Sequence, residues 1–388
     1  MRRAEMMQRI RKMQFAKVYS GWREKRLTQE EAAEILGVCD RTFRRYISQY
    51  DEDRVEGLLD KRLVQASSRR APVDEVMEVG RQYERYLGWS VRHFYKRYRE
   101  GQGSRSYTWV KSSLQSQGLV SKTTKRGVHR KRRERAAFPG MMLHQDGSRH
   151  EWVPGKLWDL IVTMDDATNE HYSMFFVEEE GTASSLRGVR EVIVKKGLFS
   201  SLYTDRGSHY WLTSEEGGKV SKTQLTQFGR AMKQLGIQMI AAYSLQARGR
   251  SERAFQTHQD RLVKELALHG ITDIDEANRY LVKVYMPSFN AEFKKPAREE
   301  GSAFVPWLGR DIDDILCEHF ERTVNADNCV SFERMALQIP ANRYRCHYVR
   351  VKVQVHRYLD GSLAIFHGPR KLAQYNPIGK LKQMKKAA

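Results

Sequence analysis

The chain has 388 residues, enough for roughly two to four domains with cores of their own. Apolar residues make up 40% of it, which excludes a largely disordered protein. Its apolar runs are shorter than the roughly 18 residues that cross a bilayer, and no signal peptide follows Met1, so we expect a cytoplasmic protein without a membrane partner. The cysteines, Cys39, Cys317, Cys329 and Cys346, lack zinc-site spacing and are interpreted as ordinary buried thiols.

The formal net charge of +21 is unevenly distributed. Residues 1–138 carry 33 Lys and Arg against 17 Asp and Glu, residues 139–300 carry 21 against 22, and residues 301–388 carry 14 against 8. Two basic ends therefore flank a neutral middle. Basic ends suit binding of a phosphate backbone, whose affinity comes largely from the release of counterions.

Residues 1–60 predict a helix-turn-helix domain. A first helix is expected over Met6–Gly21, and a second begins after Thr28, which can form a capping box with Glu31. After a glycine turn, Asp40 is expected to cap a third helix over Arg41–Tyr50. That helix presents the residues expected to bind double-stranded DNA, namely Arg41, Thr42, Arg44 and Arg45. A three-helix bundle with a solvated basic face is the alternative.

A second helical region is expected over residues 73–120, after a charged linker over 51–72. Its predicted helices are Val73–Leu87, Ser90–Glu100 and Ser104–Gln117. We interpret it as a second helix-turn-helix-like domain with Arg105 and Lys111 as phosphate contacts, and a plain helical spacer stays open as the alternative. Residues 121–138 form a basic linker in which three residues are expected to follow the DNA backbone, namely Arg130, Lys131 and Arg132.

Residues 139–300 predict an alternating α/β domain. Three strands joined by short turns form an antiparallel meander, Met141–Val153, Leu157–Asp165 and His171–Val177. The later elements are helix Ala183–Lys196, strand Leu202–Asp205, helix Thr223–Leu235, strand Ile237–Ala242 and helices Glu252–His269 and Asp275–Phe289. This order matches the RNase H-like fold, whose mixed sheet holds three antiparallel strands and further parallel ones.

The final segment predicts a small all-β, barrel-like domain over residues 325–375, followed by a basic tail over 376–388. Apolar and polar residues alternate strictly: Val349, Val351, Val353 and Val355 face one way, and Arg350, Lys352, Gln354 and His356 face the other. Asp360-Gly361 then forms a hairpin turn. The basic face favours nucleic-acid contact over a mere cap on the core.

Three acids occur at matching places in the α/β domain. Asp146 lies in the first strand, Asp205 ends the fourth, and Glu252 opens a long helix. Carboxylates of this kind can hold two divalent cations about 3.5–4 Å apart, which suits phosphodiester transfer. Arg250 and Arg253 flank Glu252 and suit phosphate neutralisation. Taken singly, each acid also has a structural explanation, as a turn residue, a strand-end cap or a favoured acid at a helix start.

Two small residues and two further acids complete this constellation. Gly147 and Gly207 are expected to let a nucleic-acid backbone approach the acids closely. Asp165 and Asp166 are rival acids, which we rank below the other three because a turn explains them. Gly147 and Gly207 therefore favour phosphodiester transfer at the three acids, and Asp165 and Asp166 are the alternative acids.

Sequence motifs around these acids resemble those of one family. The segment T-D-R-G-S at Asp205 is similar to T-D-N-G-S, and Y-S-L-Q-A-R-G-R-S-E-R, which ends at Arg253, is similar to Y-S-P-Q-x-x-G-x-x-E-R. Residues 165–168 resemble a D-x-x-T motif. These motifs belong to DDE transposases of bacterial insertion sequences, which have a retroviral-integrase-like core. Arg206 and Leu245 depart from the usual Asn and Pro, and 46 residues between Asp205 and Glu252 exceed the common spacing.

The resemblance implies that Asp146, Asp205 and Glu252 are the catalytic triad and the ligands of two Mg²⁺ or Mn²⁺ ions. It implies a bacterial transposase that binds terminal inverted repeats, cleaves DNA ends and transfers the 3′-hydroxyl to target DNA. Such a protein acts as a homo-oligomer on DNA and joins the nucleoid when bound. The alternatives are a non-catalytic sequence-specific DNA-binding protein, such as a domesticated transposase or repressor, and an RNase H-like nuclease without strand transfer.

Overall fold

The computed structural model describes residues 3–58, 71–122, 134–213, 219–221, 223–243, 249–309, 311–341 and 345–382, with side chains from Lys12 onward. Two compact units divide the chain, Met1–Gln82 and Tyr83–Ala388. The predicted DNA contacts Arg130, Lys131 and Arg132 lie outside the described residues, as does the middle of the motif that ends at Arg253.

The first unit contains the predicted helix-turn-helix. Its helices are α1 (Arg3–Arg23), α2 (Gln29–Ile35) and α3 (Asp40–Gly57), and Thr28 and Glu31 form the predicted capping box. Apolar side chains from all three helices form its core, namely Phe15, Val18, Tyr19, Ala32, Ala33 and Phe43.

Helix α3 corrects two predictions in this unit. The residue that precedes α3 is Cys39, so Asp40 is the first helical residue and not the cap. The helix also continues to Gly57, across a kink at Arg54, where a linker was expected. Residues 51–57 are exposed or half-buried, so this stretch of helix has no apolar face that periodicity could reveal.

The second helical region consists of α4 (Val73–Glu84), α5 (Val91–Glu100) and α6 (Tyr107–Ser116). Ser106 caps α6 by accepting a hydrogen bond from the Trp109 backbone N–H at 3.3 Å. Its predicted core is confirmed at several positions, since Trp89, Phe94, Tyr98, Val110 and Leu114 are all buried.

A five-stranded mixed sheet forms the centre of the second unit. Its strands are β1 (Met142–Val153), β2 (Lys156–Asp165), β3 (His171–Val177), β4 (Ser201–Thr204) and β5 (Gln238–Ala241). They lie in the order β3-β2-β1-β4-β5. The first three are antiparallel, and β4 and β5 run parallel to β1, which confirms the RNase H-like topology.

Helices cover both faces of this sheet. Helices α7 (Thr182–Lys196) and α8 (Gln227–Leu235) bury one face, and α9 (Ser251–Leu268), α10 (Ile274–Tyr280) and α11 (Met286–Phe293) bury the other. Helix α8 begins after its cap at Thr226, four residues later than predicted. A π-helical segment, Leu281–Tyr285, joins α10 to α11 where one helix was expected.

An antiparallel sheet ends the chain. Its strands β6 (Glu318–Thr323), β9 (Lys352–Arg357), β10 (Leu363–His367) and β11 (Arg370–Tyr375) lie in the order β11-β10-β9-β6, beside the hairpin of β7 (Cys329–Phe332) and β8 (Met335–Gln338). The sheet therefore begins before residue 325. Val353 and Val355 face its core as predicted, and Leu381 of the predicted tail pairs with Tyr375.

Several side chains differ from their predicted exposure. His356 is buried, stacked between His319 at 3.7 Å and Phe366 at 4.1 Å, because the second face of β9 is covered at that point. Cys317 and Cys329 are buried as expected, whereas Cys39 and Cys346 are exposed. Within the described residues, no helix has the length and apolarity to cross a membrane.

Candidate active site

The pleat of the central sheet determines where the two aspartates point. Leu143 of β1 belongs to the core under α7 and α8, so Asp146, an odd number of residues later, faces the opposite side, towards α9. Leu202 of β4 belongs to the same core, and Asp205 therefore also emerges on the α9 side. Both predicted catalytic aspartates thus lie on one face of the sheet.

The strand register also aligns these aspartates along the sheet. The parallel neighbours β1 and β4 pair His144 with Tyr203. Two residues further on, the same register sets Asp205 beside Asp146, on strands about 4.8 Å apart. Asp146 is 7% exposed, and Asp205 is half-buried in the turn after β4. The two aspartates therefore lie beside the end of β4 and within the length of β1.

Helix α9 lies along β1, and one contact at its start and one near its middle fix its direction. Near its start, Arg250 forms an ion pair with Asp166, whose carboxylate also lies 2.7 Å from His144 Nε2. Further along, Gln259 Nε2 donates to Ser148 Oγ at 3.0 Å. From Arg250 to Gln259 the helix rises about 13 Å, and from His144 to Ser148 the strand also rises about 13 Å. Helix and strand therefore run parallel and in step.

This arrangement brings Glu252 to the two aspartates. Glu252 follows Arg250 by two residues, in the first turn of α9. Its level along β1 therefore falls between His144 and Asp146, within about 4 Å of Asp146 along the strand direction. By this reasoning Asp146, Asp205 and the first turn of α9 lie on one face of the sheet, near the end of β4.

The two glycines of the predicted site leave no room for a side chain of their own. A side-chain carbon on Gly147 would lie 2.1 Å from Glu180 Oε2. One on Gly207 would lie 2.9 Å from a ring carbon of His209. Gly147 therefore packs against the Glu180 side chain, and Gly207 packs against His209 of its own turn. That these glycines admit a nucleic-acid backbone stays a prediction.

Glu180 is an acid beside the site that the motifs did not indicate. Its backbone N–H donates to Asp159 Oδ2 at 2.7 Å, and Tyr210 donates to its Oε1 at 3.4 Å. Burial raises the pKa of the Tyr210 hydroxyl well above its ordinary value, and Glu180, Asp146 and Asp205 act in the same direction, so these groups lie close together. Glu180 approaches from the α7 side, opposite the two aspartates, and we leave it outside the acid set.

The rival acid Asp165 serves the turn between β2 and β3. It accepts hydrogen bonds from the backbone N–H groups of Gly140 at 2.9 Å and Thr168 at 2.8 Å, and from the Thr168 hydroxyl at 2.9 Å. Burial raises the pKa of this carboxyl. These bonds satisfy the carboxylate and support its interpretation as a turn residue.

Its neighbour Asp166 is fully buried and joins three chain segments. It contacts His144 of β1, accepts from the Ala136 backbone N–H at 2.7 Å, and pairs with Arg250 at the start of α9. Burial alone raises the pKa of Asp166, but the bonds from His144 and Ala136 hold it below its ordinary range. This meeting point could not be predicted from local sequence, because its members are far apart in the chain.

The predicted DNA contacts occupy varied positions. Arg41, Arg44 and Arg45 are exposed on α3, while Thr42 is half-buried and lies 3.2 Å from Cys39 Sγ. Their role in binding DNA stays a prediction.

On the other helices, Arg105 stacks over Trp109 at 5.2 Å and Lys111 is half-buried on α6. Arg253 is exposed on α9, whereas Arg250 contacts Asp166 and the Glu134 carbonyl. DNA contact by all four also stays a prediction.

A buried network fastens α5 to the helices behind the sheet. Glu265 of α9 accepts from Arg97 at 2.5 Å and lies 2.7 Å from His93 Nε2. Arg92, which like Arg97 and His93 belongs to α5, pairs with Glu292 of α11 at 3.4 Å. Burial raises the pKa of Glu265, but the bond from His93 and the charge of Arg97 outweigh it and bring this pKa to about 2.

A second group of possible metal ligands lies in the C-terminal sheet. Ligand atoms of Cys317, His319 and His356 all lie within 4.8 Å of one another. The two imidazole rings are stacked with an angle of 12° between their planes, so their in-plane lone pairs do not converge on one ion. The Arg230 guanidinium also donates to the Cys317 carbonyl at 2.5 Å. We therefore assign this group to packing.

A helix-turn-helix unit and an RNase H-like sheet define the integrase-type class of DNA-processing proteins. A family model described as a winged helix-turn helix matches residues 11–74, which confirms the nature of the N-terminal domain. The solved structures similar to this chain include a simian T-cell lymphotropic virus intasome in complex with PP2A regulatory subunit B56 gamma. That match has 14% identity over 73% of this chain and 92% of the other, with a TM-score of 0.35.

A further similar structure is the HTLV-2 integrase catalytic core domain in complex with magnesium. It is 17% identical over 38% of this chain and 87% of that chain, with a TM-score of 0.30. Because both TM-scores are low, the fold assignment rests on the strand order and directions described above and not on these matches.

Curated relatives give the family. The protein named "Putative transposase y4bF" of Sinorhizobium fredii is 30% identical over 92% of this chain and 78% of its own length. The transposase for insertion sequence IS1202 of Streptococcus pneumoniae is 26% identical over 60% of this chain and half of its own length. The chain belongs to this family of transposases.

Proposed function

We propose that Asp146, Asp205 and Glu252 are the metal-binding acids of a DDE transposase. The observation that carries this proposal is their convergence, since two aspartates emerge side by side on the sheet face along which the first turn of α9 lies. The donor set fits a hard divalent cation such as Mg²⁺ or Mn²⁺, which prefers carboxylate oxygens. Two such ions, when bound, would activate an attacking oxygen and stabilise a leaving one.

The proposed reaction consists of two displacements at phosphorus. In the first, water attacks a phosphodiester at the end of the element, the bond to the 3′-oxygen breaks, and a 3′-hydroxyl is left. In the second, that hydroxyl attacks a phosphodiester of the target DNA, and the 3′-oxygen of the target strand leaves. Neither step needs a nucleophilic side chain, so the three acids act by holding the ions and the DNA phosphate in place.

DNA recognition is assigned to the N-terminal domain. Arg41, Arg44 and Arg45 are exposed on α3, the helix that corresponds to the recognition helix of a helix-turn-helix. We propose that this domain binds the terminal inverted repeats of the element. Because two ends must be joined to one target, the active form is a homo-oligomer on DNA.

Substitution of the three acids tests the proposal. Asp146→Asn, Asp205→Asn and Glu252→Gln are expected to lower Mg²⁺-dependent nicking of a labelled duplex carrying a terminal repeat by more than about 100-fold, the upper end of losses for groups that only support a ligand. Binding of the same duplex, measured by electrophoretic mobility shift, should be unchanged, because the acids are not part of the helix-turn-helix.

Asp275→Asn is the matched control, since Asp275 is an exposed acid in the first turn of α10. Full nicking activity in any of the three triad variants contradicts the proposal. Repeat binding without any nicking by the natural protein would favour a repressor instead. Nicking without joining of the cut end to a second DNA would favour a nuclease that lacks strand transfer.

A further inference from the structure

The start of α9 has no cap of its own. Arg250 occupies the position before the first helical residue, and its side chain makes no capping hydrogen bond to the helix. Within the described part of the chain, the Glu252 side chain has no hydrogen-bond or ion-pair partner. The place of Glu252 therefore depends on how the first turn of α9 is held against the rest of the protein.

Arg250 supplies that attachment. Its guanidinium pairs with Asp166 and donates to the Glu134 carbonyl at 2.9 Å. The Asp166 side chain is fully buried and that of Arg250 is 15% exposed, so water screens this pair little. The same carboxylate accepts from Ala136 and contacts His144, which fixes its position relative to β1.

Two polar contacts of α9 lie on either side of Glu252. The Arg250 pair precedes Glu252 by two residues, and the bond from Gln259 to Ser148 follows it by seven, about two helical turns. The second contact can fix only the far part of the helix. The position and rotation of the first turn, and with them the direction of the Glu252 side chain, therefore depend on the nearer contact and on Phe255, which is buried in the core about one turn further on.

We propose that Arg250 and Asp166 are positioning residues that hold Glu252 in place to bind a divalent cation. This inference rests on the proposed function, because it takes Glu252 as a metal ligand. It gives Arg250 a role in addition to the phosphate contact that the sequence suggests. Ala136 and Glu134 bring the end of the basic linker to the same point, so three chain segments meet at the base of the proposed metal site.

Metal affinity without DNA provides the test. In a Mn²⁺ titration followed by the electron paramagnetic resonance of the free ion, Arg250→Gln is expected to raise the dissociation constant about tenfold or more, as loss of groups that orient a ligand does. Arg250→Lys, which keeps the charge, should restore part of the affinity. A role limited to stability would lower the melting temperature and leave the dissociation constant of the folded protein unchanged.

Arg190→Gln is the control, because Arg190 of α7 forms a two-point ion pair with Asp313, with contacts of 2.5 and 3.1 Å, that is more exposed than the Arg250 pair. Its Mn²⁺ affinity should equal that of the natural protein. The double variant Asp166→Asn with Arg250→Gln should bind Mn²⁺ no more weakly than the weaker single variant, because both substitutions break one contact.

The outcomes separate the two proposals. Weak binding in Glu252→Gln, with no further loss when Arg250→Gln is added, supports both. Weak binding in Glu252→Gln with natural affinity in Arg250→Gln overturns only the positioning role. Natural affinity in Glu252→Gln itself overturns the metal role of Glu252 and the inference with it.

Discussion

At the scale of single residues, a buried histidine pair gives the protein a built-in sensitivity to acid. His171 Nδ1 donates to the Asn169 carbonyl at 3.0 Å, so its Nε2 accepts a hydrogen bond from His258 Nε2–H at 3.1 Å. His258 Nδ1 in turn accepts from the Tyr285 hydroxyl at 3.1 Å. This chain of bonds requires both rings to be neutral. Burial lowers the pKa of His171 to about 4 and that of His258 well below its ordinary value.

Stability should therefore fall as the pH drops below about 6.5, the ordinary pKa of histidine. Above that pH both the folded and the unfolded chain hold these rings neutral, and below it only the unfolded chain takes up protons freely. For His171 alone the loss between pH 6.5 and its folded pKa amounts to roughly 3 kcal/mol. Urea unfolding at pH 7 and pH 5 measures the change.

His258→Gln tests this assignment, because an amide can donate to His171 and accept from Tyr285 without titrating. The variant should lose less stability between pH 7 and pH 5 than the natural protein, by up to about 1.4 kcal/mol per pH unit. His347→Gln, at an exposed histidine, should follow the natural protein. Equal losses in His258→Gln and the natural protein would show that the pair does not govern the acid response.

At the scale of elements, the contact of α7 with β1 depends on one glycine. A side-chain carbon on Gly188 would lie 2.3 Å from Gln145 Nε2 and 3.0 Å from Thr163 Oγ1. That amide donates to Thr163 Oγ1 at 3.1 Å and to the Ser185 carbonyl at 3.0 Å, so it cannot move without losing hydrogen bonds. Gln145 precedes Asp146, and the packing of α7 therefore supports the strand that carries the site.

Gly188→Ala is expected to lower the free energy of unfolding by about 1–3 kcal/mol, as overpacking of a core does. Gly229→Ala on α8 is the matched control, since its added carbon would come no closer than 3.4 Å to any atom. There the higher helix propensity of alanine should leave stability unchanged or raise it by up to about 1 kcal/mol. Similar effects of the two substitutions in urea unfolding would contradict this account of the α7 contact.

The sequence predicted elements well where burial is periodic and less well elsewhere. Strands β2 and β3 contain long buried, largely apolar runs, and the predicted ends of β1, β2 and β3 agree with the structure to within one residue. The end of α3 has no buried stripe, and its continuation to Gly57 was missed. His356 was assigned to the exposed face of β9, but α8 covers that region through Gln227, which bonds to the His319 backbone.

The same contrast applies to the candidate site. Asp146, Asp205 and Glu252 were predicted from local sequence, because Asp146 lies in a predicted strand, Asp205 follows one, and Glu252 lies in the first turn of a predicted helix. Their partners do not, because Asp166 meets Arg250 across 84 residues and Glu180 reaches Gly147 from another loop. Such contacts are created by tertiary packing and leave no periodic trace in the sequence.

At the scale of the whole molecule, the basic ends should make DNA binding strongly dependent on salt. Each phosphate contact contributes about 0.9 to the slope of log affinity against log salt concentration. Arg44→Ala, at an exposed position of α3, is therefore expected to reduce this slope by about one unit. Fluorescence anisotropy with a labelled repeat duplex at several salt concentrations measures it.

Arg279→Ala serves as the control, since Arg279 lies in α10, behind the sheet. Its slope should match that of the natural protein. A slope that Arg44→Ala leaves intact would remove this residue from the DNA interface.

The register of β1 against β4 determines at which stage of folding the proposed metal site is complete. A slip of one residue between these strands would turn Asp205 to the α7 side and separate it from Asp146. On the proposed assignment, a half-assembled chain therefore carries no complete set of ligands. DNA cleavage then requires the correctly paired sheet, and a chain with the slipped register would not cut the chromosome.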